Sequence, residues 1–433
     1  MSFRNLAALT VATGIGGLAA AGQAHAQAFY LQEQAARAAG RAFSGETADT
    51  GAASLWWNPA AIAGIPEAEA TISASVILPK GDVTDNGTAI RRPGGAFAAI
   101  GGSAASRDPI NNGVLPSGAV AVPLGDRLAV GLAVTSPYSF TTDYDGDSWV
   151  RYSADRTYLR TFDIQPSVAV AVTDWLRVGA AANIEYVESS FSNALPNLSA
   201  ALPDGGQKLE GEGWDLGWTA GVQLHNDRAT VGISYKSAIE HTLNGKVAIG
   251  GLLGPLAAQN GTVEDVSARF YTPAQVMVGG RFRVTDALTL NAQTIRYTWD
   301  QFDAIRLGAP LNTALPQNYR NTWSYAGGVD YAVSPRLTVR GGVQRALTPT
   351  RDGDRDARVP DSNRWNYALG ASFDVTPKIS LDAAANYVDF ADSTIDRPTA
   401  AYAGTPVQTP IAIDGTLTDA RAVILSLGAR VRF

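Results

Sequence analysis

No cysteine occurs among the 433 residues. That one absence excludes disulfide frameworks, thiolate metal sites and cysteine nucleophiles together. Histidine is nearly as scarce: of three in the chain, only His225 and His241 lie beyond residue 26. Neither is accompanied by a Gly-x-Ser-x-Gly elbow, so hydrolase chemistry is not expected, nor is any other enzyme activity. Asp143, Asp145, Gly146 and Asp147 resemble part of a cation loop, but no glutamate follows at EF-hand spacing. The segment reads as a solvated loop, with no metal site or cofactor implied. Basic density is missing too. Lys and Arg number 34 against 40 Asp and Glu, a net charge of −6, and no basic patch suits nucleic acid. After residue 26 no run of 18 apolar residues exists, so no transmembrane helix is available.

The first 26 residues carry the pattern of a secretory signal. Arg4 supplies a positive n-region, Leu6 to Ala21 a short apolar core, and Ala24-His25-Ala26 a small-residue cleavage site, so the mature chain is expected to begin at Gln27. No cysteine follows to carry a lipid. An exported chain without a spanning helix is periplasmic, secreted, or a barrel in the outer membrane.

Alternation favours the barrel. Hydrophobic residues make up 45% of the chain and mean hydropathy is −0.03, which suits a sheet with one apolar and one polar face. At the C-terminus Val423, Leu425, Leu427, Ala429, Val431 and Phe433 alternate with Ser426, Gly428, Arg430 and Arg432. Arginines at mid-depth on a lipid face are costly, so their face lines a polar lumen. The same period of two recurs over Leu176 to Tyr186, Leu337 to Gln344 and Ile379 to Tyr387. A terminal aromatic residue suits recognition by the barrel assembly machinery.

Turn-forming pairs punctuate these strands: Gly125-Asp126, Thr173-Asp174, Asn226-Asp227, Thr285-Asp286, Ser334-Pro335 and Thr376-Pro377. Each lies between two alternating runs. Six turns join about twelve strands, and one more at each end makes about fourteen, an even number as bacterial barrels require. Longer polar stretches, Asn193 to Glu210, Gly250 to Thr262, Leu347 to Asp361 and Asp392 to Thr416, read as extracellular loops. Aromatic residues such as Tyr138, Tyr144, Trp149, Tyr152 and Tyr158, with Trp299, Trp323 and Tyr325, read as an interfacial girdle against outer-membrane lipid and lipopolysaccharide. The expected fold is therefore an all-β transmembrane barrel over residues 67–433.

Residues 27–66 differ from the rest. Ala28 to Ala42 is helix-forming until Gly40, and Gly45, Gly51, Asn58-Pro59 and Gly64 then interrupt the backbone. A wide barrel leaks unless filled, so this partly helical segment is read as a plug. Here the residues carry a family resemblance. Ala28-Phe29-Tyr30-Leu31, Gly40-Arg41-Ala42-Phe43-Ser44-Gly45-Glu46 and Trp57-Asn58-Pro59-Ala60 resemble the N-terminal hatch of the FadL-type outer-membrane fatty-acid transporters. Thr135-Ser136-Pro137-Tyr138, Asp163 to Val168, Gly213 to Trp218, Ser234 to Ser237 and Val359-Pro360-Asp361-Ser362 are similar to the same family, in the same order.

The resemblance implies a fourteen-stranded barrel plugged by its hatch. It implies passive passage of long-chain fatty acids or other hydrophobic compounds, with exit through a moving hatch or a kinked third strand. On the residues themselves, Pro137 cannot donate to a sheet ladder, so Ser136, Pro137 and Tyr138 mark a bulge or a strand end. Asn58 is expected to bond the barrel wall. Arg156, Arg160 and Lys236 are candidate carboxylate contacts, or else members of a lumen ion network. A general diffusion porin and a structural barrel remain alternatives, and the hatch argues against both. The barrel is expected to work as a monomer.

Overall fold

The computed structural model describes residues 29–433, so the export signal read over residues 1–26 lies outside the described residues. One antiparallel sheet closes on itself as fourteen wall strands. They are β1 (Glu69–Asp85), β2 (Gly113–Pro123), β3 (Leu128–Thr135, resuming at Ser139–Asp143), β4 (Arg156–Ala171), β5 (Leu176–Leu195), β6 (Gly205–His225) and β7 (Ala229–Lys236 and Ile239–Gly250). There follow β8 (Gly261–Thr272 and Gln275–Arg283), β9 (Leu288–Tyr297), β10 (Thr322–Ser334), β11 (Leu337–Ala346), β12 (Arg364–Thr376), β13 (Ile379–Phe390) and β14 (Gly415–Arg432). Closure comes from β1, which pairs with β14 from Glu69↔Arg432 to Asp85↔Gly415 and with β2 on its other side. Closure of the ladder is how a barrel pairs its backbone groups in hydrocarbon. All six turn pairs read from the sequence fall at the short connections, with Ser334 and Thr376 as the last residues of β10 and β12.

Alternation sorts the side chains as expected. Leu216, Leu369 and Leu427 are 73%, 71% and 69% exposed, which places them on the lipid face rather than in a protein core. Arg340, Asn386 and Ser426, on the opposite phase, are directed inward and largely buried. The girdle needs correction. Trp323, Tyr325, Trp365 and Tyr367 do project outward near the extracellular strand ends, Trp214 outward at the middle of β6, and Trp175 and Tyr331 near the short turns. Tyr138, Tyr144, Trp149, Tyr152 and Trp299, however, are buried in the lumen and under the loops. They pack the extracellular half instead of meeting lipid.

Residues 29–64 fill the lumen. They form a four-residue helix, α1 (Ala36–Ala39), and 3-10 turns over Glu46–Ala48, Ala52–Ser54 and Pro59–Gly64. The helix expected over Ala28 to Ala42 is thus mostly absent. Tyr30 instead bridges antiparallel to Tyr138, and Ala42 and Phe43 adopt positive φ of 51° and 63°, which ends the helix.

Inward-facing glycines let this segment sit against the wall. Gly179 on β5 and Gly221 on β6 are directly paired, and a Cβ on either would collide with the backbone of Pro59–Ala60 or with Asn58. Gly328 and Gly342, paired between β10 and β11, meet Ser44 and the Arg41 carbonyl in the same way. Glycine within a strand weakens it, so its place here marks the close approach of another backbone. Gly221→Leu is therefore expected to push the hatch aside while leaving the barrel closed. The check is planar-bilayer conductance: a steady open current in the variant, little in the parent, and the same heat-shifted gel mobility in both.

Candidate functional site

The hatch is tied to the wall by two polar devices. Asn58 is the first. Its Nδ2 donates to the Thr47 carbonyl at 2.7 Å and to the Val222 carbonyl of β6 at 3.2 Å. Its Oδ1 accepts from the Ala60 N–H at 3.0 Å, capping the turn that Pro59 begins. The second centres on Arg41, which is 1% exposed. Its guanidinium contacts Glu46, meets Asp49 at 2.6 Å and reaches Asp330 of β10 at 3.3 Å. Arg281 of β8 lies 3.3 Å from Asp49 and 3.0 Å from Asp330, and Arg340 of β11 lies 2.8 Å from Asp330. Gly45, at φ 73°, turns the chain between Arg41 and Glu46, a left-handed value that glycine tolerates. Gly40 faces Gly370 on β12.

Ser136, Pro137 and Tyr138 interrupt β3. On the facing strand Thr135 pairs with Asp163 and Ser139 with Arg160, so three residues oppose two and the strand bulges. On the other side, residues 113–117 of β2 pair with β1 alone. The N-terminal segment takes up the bonds left over. The Leu31 N–H donates to the Pro137 carbonyl at 2.7 Å, and the Ser139 N–H to the Phe29 carbonyl at 3.0 Å. The Gln34 side chain exchanges bonds with both backbone groups of Ser136, at 3.1 and 3.3 Å. Ser117 of β2 donates to the Gln34 carbonyl at 2.7 Å.

Above the hatch, in the extracellular half, lies an apolar cavity. Phe29, Phe140, Leu159, Phe191, Phe270 and Phe302 supply much of its lining. Phe29 belongs to the hatch, and its ring centroid lies 5.1 Å from Trp299 and 5.4 Å from Phe302. Polar groups are few: Arg358, Asp356 and Gln317 stand out. Arg358 lies 3.6 Å from Asp356, donates to Asn193 at 3.2 Å and stacks over Phe191. Burial pushes the Asp356 carboxyl up, but Arg358 and Arg397 outweigh it and hold the group below the usual carboxylate range. The acid therefore stays ionised and shares the guanidinium.

The candidate carboxylate contacts fare differently. Arg156 and Arg160 lie on the outer face of β4, in phase with Tyr158 and Phe162, while Thr157, Leu159 and Asp163 point inward. Arg160 pairs there with Glu188 at 2.8 Å. Neither arginine faces the lumen, a correction that follows from strand parity alone. Lys236 is internal but engaged: its ammonium lies 3.6 Å from Asp163 and 4.3 Å over the Trp56 ring. The sequence reading missed Arg358, although Val359-Pro360-Asp361-Ser362 stood beside it. It also missed Asp330 and Arg281. Among the described residues no cluster suited to a metal ion is present.

A closed barrel, an internal plug and an apolar cavity define an outer-membrane channel for hydrophobic molecules. The chain belongs to the outer membrane protein transport protein family (OMPP1/FadL/TodX), whose model matches residues 17–433. Members of this family are transport channels, not enzymes. The chain is 25% identical to outer membrane protein P1 of Haemophilus influenzae over 410 residues, covering 86% of this chain and 88% of that one. It is 24% identical to the long-chain fatty acid transport protein of Escherichia coli, covering 84% and 88%. Its fold matches the crystal structure of a Pseudomonas aeruginosa FadL homologue with a TM-score of 0.80 at 25% identity, over 94% and 99% of the two chains. It also matches the Ralstonia pickettii toluene transporter TbuX, with a TM-score of 0.64 at 18% identity over 92% and 98%, a likeness of fold.

Removing one partner of a buried charge cluster costs roughly 3–5 kcal/mol, because the remaining charges stay buried. Arg41→Ala is therefore expected to loosen the hatch without opening the sheet. Hydrogen exchange should rise in peptides spanning Glu46–Ala48, while strand peptides from β5 and β6 remain protected.

Proposed function

We propose that this barrel carries long-chain fatty acids inward across the outer membrane, down their gradient. The observation that carries this reading is the apolar, phenylalanine-rich cavity with Arg358 on its lining. A guanidinium beside an apolar slot suits a carboxylate head, which it can hold through paired charge-assisted bonds. The name of the Escherichia coli relative supports the same class of substrate.

Exit is assigned to the interrupted third strand. The gap beside Ser136, Pro137 and Tyr138 is filled by Phe29, Leu31 and Gln34, so a shift of the N-terminal segment would free a lateral route. Residues 27–66 act in this reading as the hatch, with Gly40, Arg41, Gly45, Glu46, Asn58, Pro59 and Ala60 as its fixed points. Residues 67–433 act as the barrel, working as a monomer.

The test is uptake of radiolabelled oleate by cells lacking their own fatty-acid transporter and supplied with this chain, with toluene and sucrose as comparators. Oleate entry without sucrose entry supports the proposal. Toluene entry alone would replace the substrate, and sucrose entry would make the chain a porin. Arg358→Ala is expected to raise the half-saturating oleate concentration roughly tenfold, the worth of one lost charge-assisted bond, and to leave any toluene entry unchanged. A second check removes Pro137, so that two residues oppose Thr161 and Phe162 and β3 runs straight. Oleate uptake should fall several-fold, with hatch protection from hydrogen exchange preserved. Undiminished uptake would mean that the lateral route is not used.

A further inference from the structure

Several cations on the outer wall near the extracellular strand ends are neutralised by acids of the same surface. Arg160 pairs with Glu188, Lys80 with Asp108 and Lys208 with Glu210. Arg296 and Arg345 are arranged otherwise. Each is the penultimate residue of its strand, β9 and β11 respectively, and each projects outward. Arg296 lies 5.7 Å over the Trp323 ring and Arg345 5.1 Å over the Trp365 ring. Among the described residues neither guanidinium has an ion pair or a side-chain hydrogen bond.

The register builds these residues into one surface. Arg296 is opposite Trp323, Tyr325 is opposite Arg345, and Arg345 is opposite Trp365. Trp323 and Tyr325 stack with an interplanar angle of 6°, and Trp365 and Tyr367 with 21°. Two flat aromatic pairs thus alternate with two unneutralised arginines across four consecutive strands. Strands lie about 4.8 Å apart, so β9 and β11 are separated by roughly 10 Å, a span two arginine side chains can bridge. Asp389, opposite Trp365 on β13, bounds the cationic stretch on one side.

Outward Trp and Tyr mark the headgroup level of the bilayer. A guanidinium held at that height, without an acid, faces lipid phosphates. Its hold on an aromatic face keeps it on the wall and leaves its N–H edge free. We propose that Arg296 and Arg345 clamp the phosphates of a phosphorylated glycolipid of the outer leaflet, whose sugar rests on the Trp323 and Trp365 platforms. The site is independent of the transport route, because it lies on the opposite side of the wall from the lumen.

The experiment uses the full barrel in detergent and titrates it with lipid A, with lipid A stripped of its phosphates, and with inorganic phosphate. Wild type is expected to bind the phosphorylated lipid roughly tenfold tighter than the stripped form, the worth of bonds to a charged group. Arg296→Gln with Arg345→Gln should bring the two lipids within about twofold of each other. Lys208→Gln with Lys246→Gln, on the distant strands β6 and β7, should keep the full preference. Equal binding of both lipids by wild type overturns the proposal without reference to any variant. So does an unchanged preference in the arginine double variant, or competition by inorganic phosphate at the lipid's own concentration, which would mean a site for the free anion.

Discussion

Arg41 joins the hatch to itself and to the wall, and the closed lumen depends on that junction. A plug with one four-residue helix and three short 3-10 turns has little structure of its own. Helical nucleation is too costly for so short a segment to stand alone. Its conformation is set by what surrounds it. The contacts of Arg41 with Glu46 and Asp49 fold the hatch onto itself, and the contact with Asp330 ties it to β10. Desolvating these groups costs several kcal/mol per ion, so the cluster adds little net stability. Its effect is orientation: a hatch turned or shifted by one residue would leave charges buried without partners. The paired glycines of β5, β6, β10 and β11 act in the same direction, since they admit backbone only where Pro59, Asn58, Ser44 and Arg41 now sit.

Much of the barrel could be read from local signals. Lipid on one side and a polar lumen on the other impose a period of two on every strand, and the six turn pairs fall where two such runs meet. Strand number follows from those turns because each short connection is local. The hatch was less legible. Ala28 to Ala42 has helical propensity, yet Phe29 to Leu31 are not helical, because their hydrogen-bond partners are Pro137 and Ser139, more than a hundred residues away. Tertiary pairing overrides propensity there.

Arg156 and Arg160 show a different failure. Phe162 and Ile164 are apolar, whereas Asp163 and Gln165 are polar, so the phase of β4 already placed even-numbered residues outside. Arg358 is harder, because it sits in a loop where no period assigns a direction. Tyr144, Trp149 and Tyr152 were misplaced for the same reason: a loop aromatic gives no sign of whether it meets lipid or folds inward.

The cavity and the strand gap share one element. Phe29 lines the cavity through its ring and closes the gap through its carbonyl. On the proposed route, a ligand that displaces the ring therefore also strains the bond to Ser139. Each backbone group left unpaired in a buried place costs about 1–3 kcal/mol. An alkyl chain taking the vacated apolar surface offsets that cost, at roughly 0.8 kcal/mol for each buried CH₂. A small polar solute has no such compensation. Selectivity for hydrophobic molecules then needs no energy source and no dedicated gate beyond the N-terminal segment, because a solute able to replace Phe29 is also able to keep the gap dry.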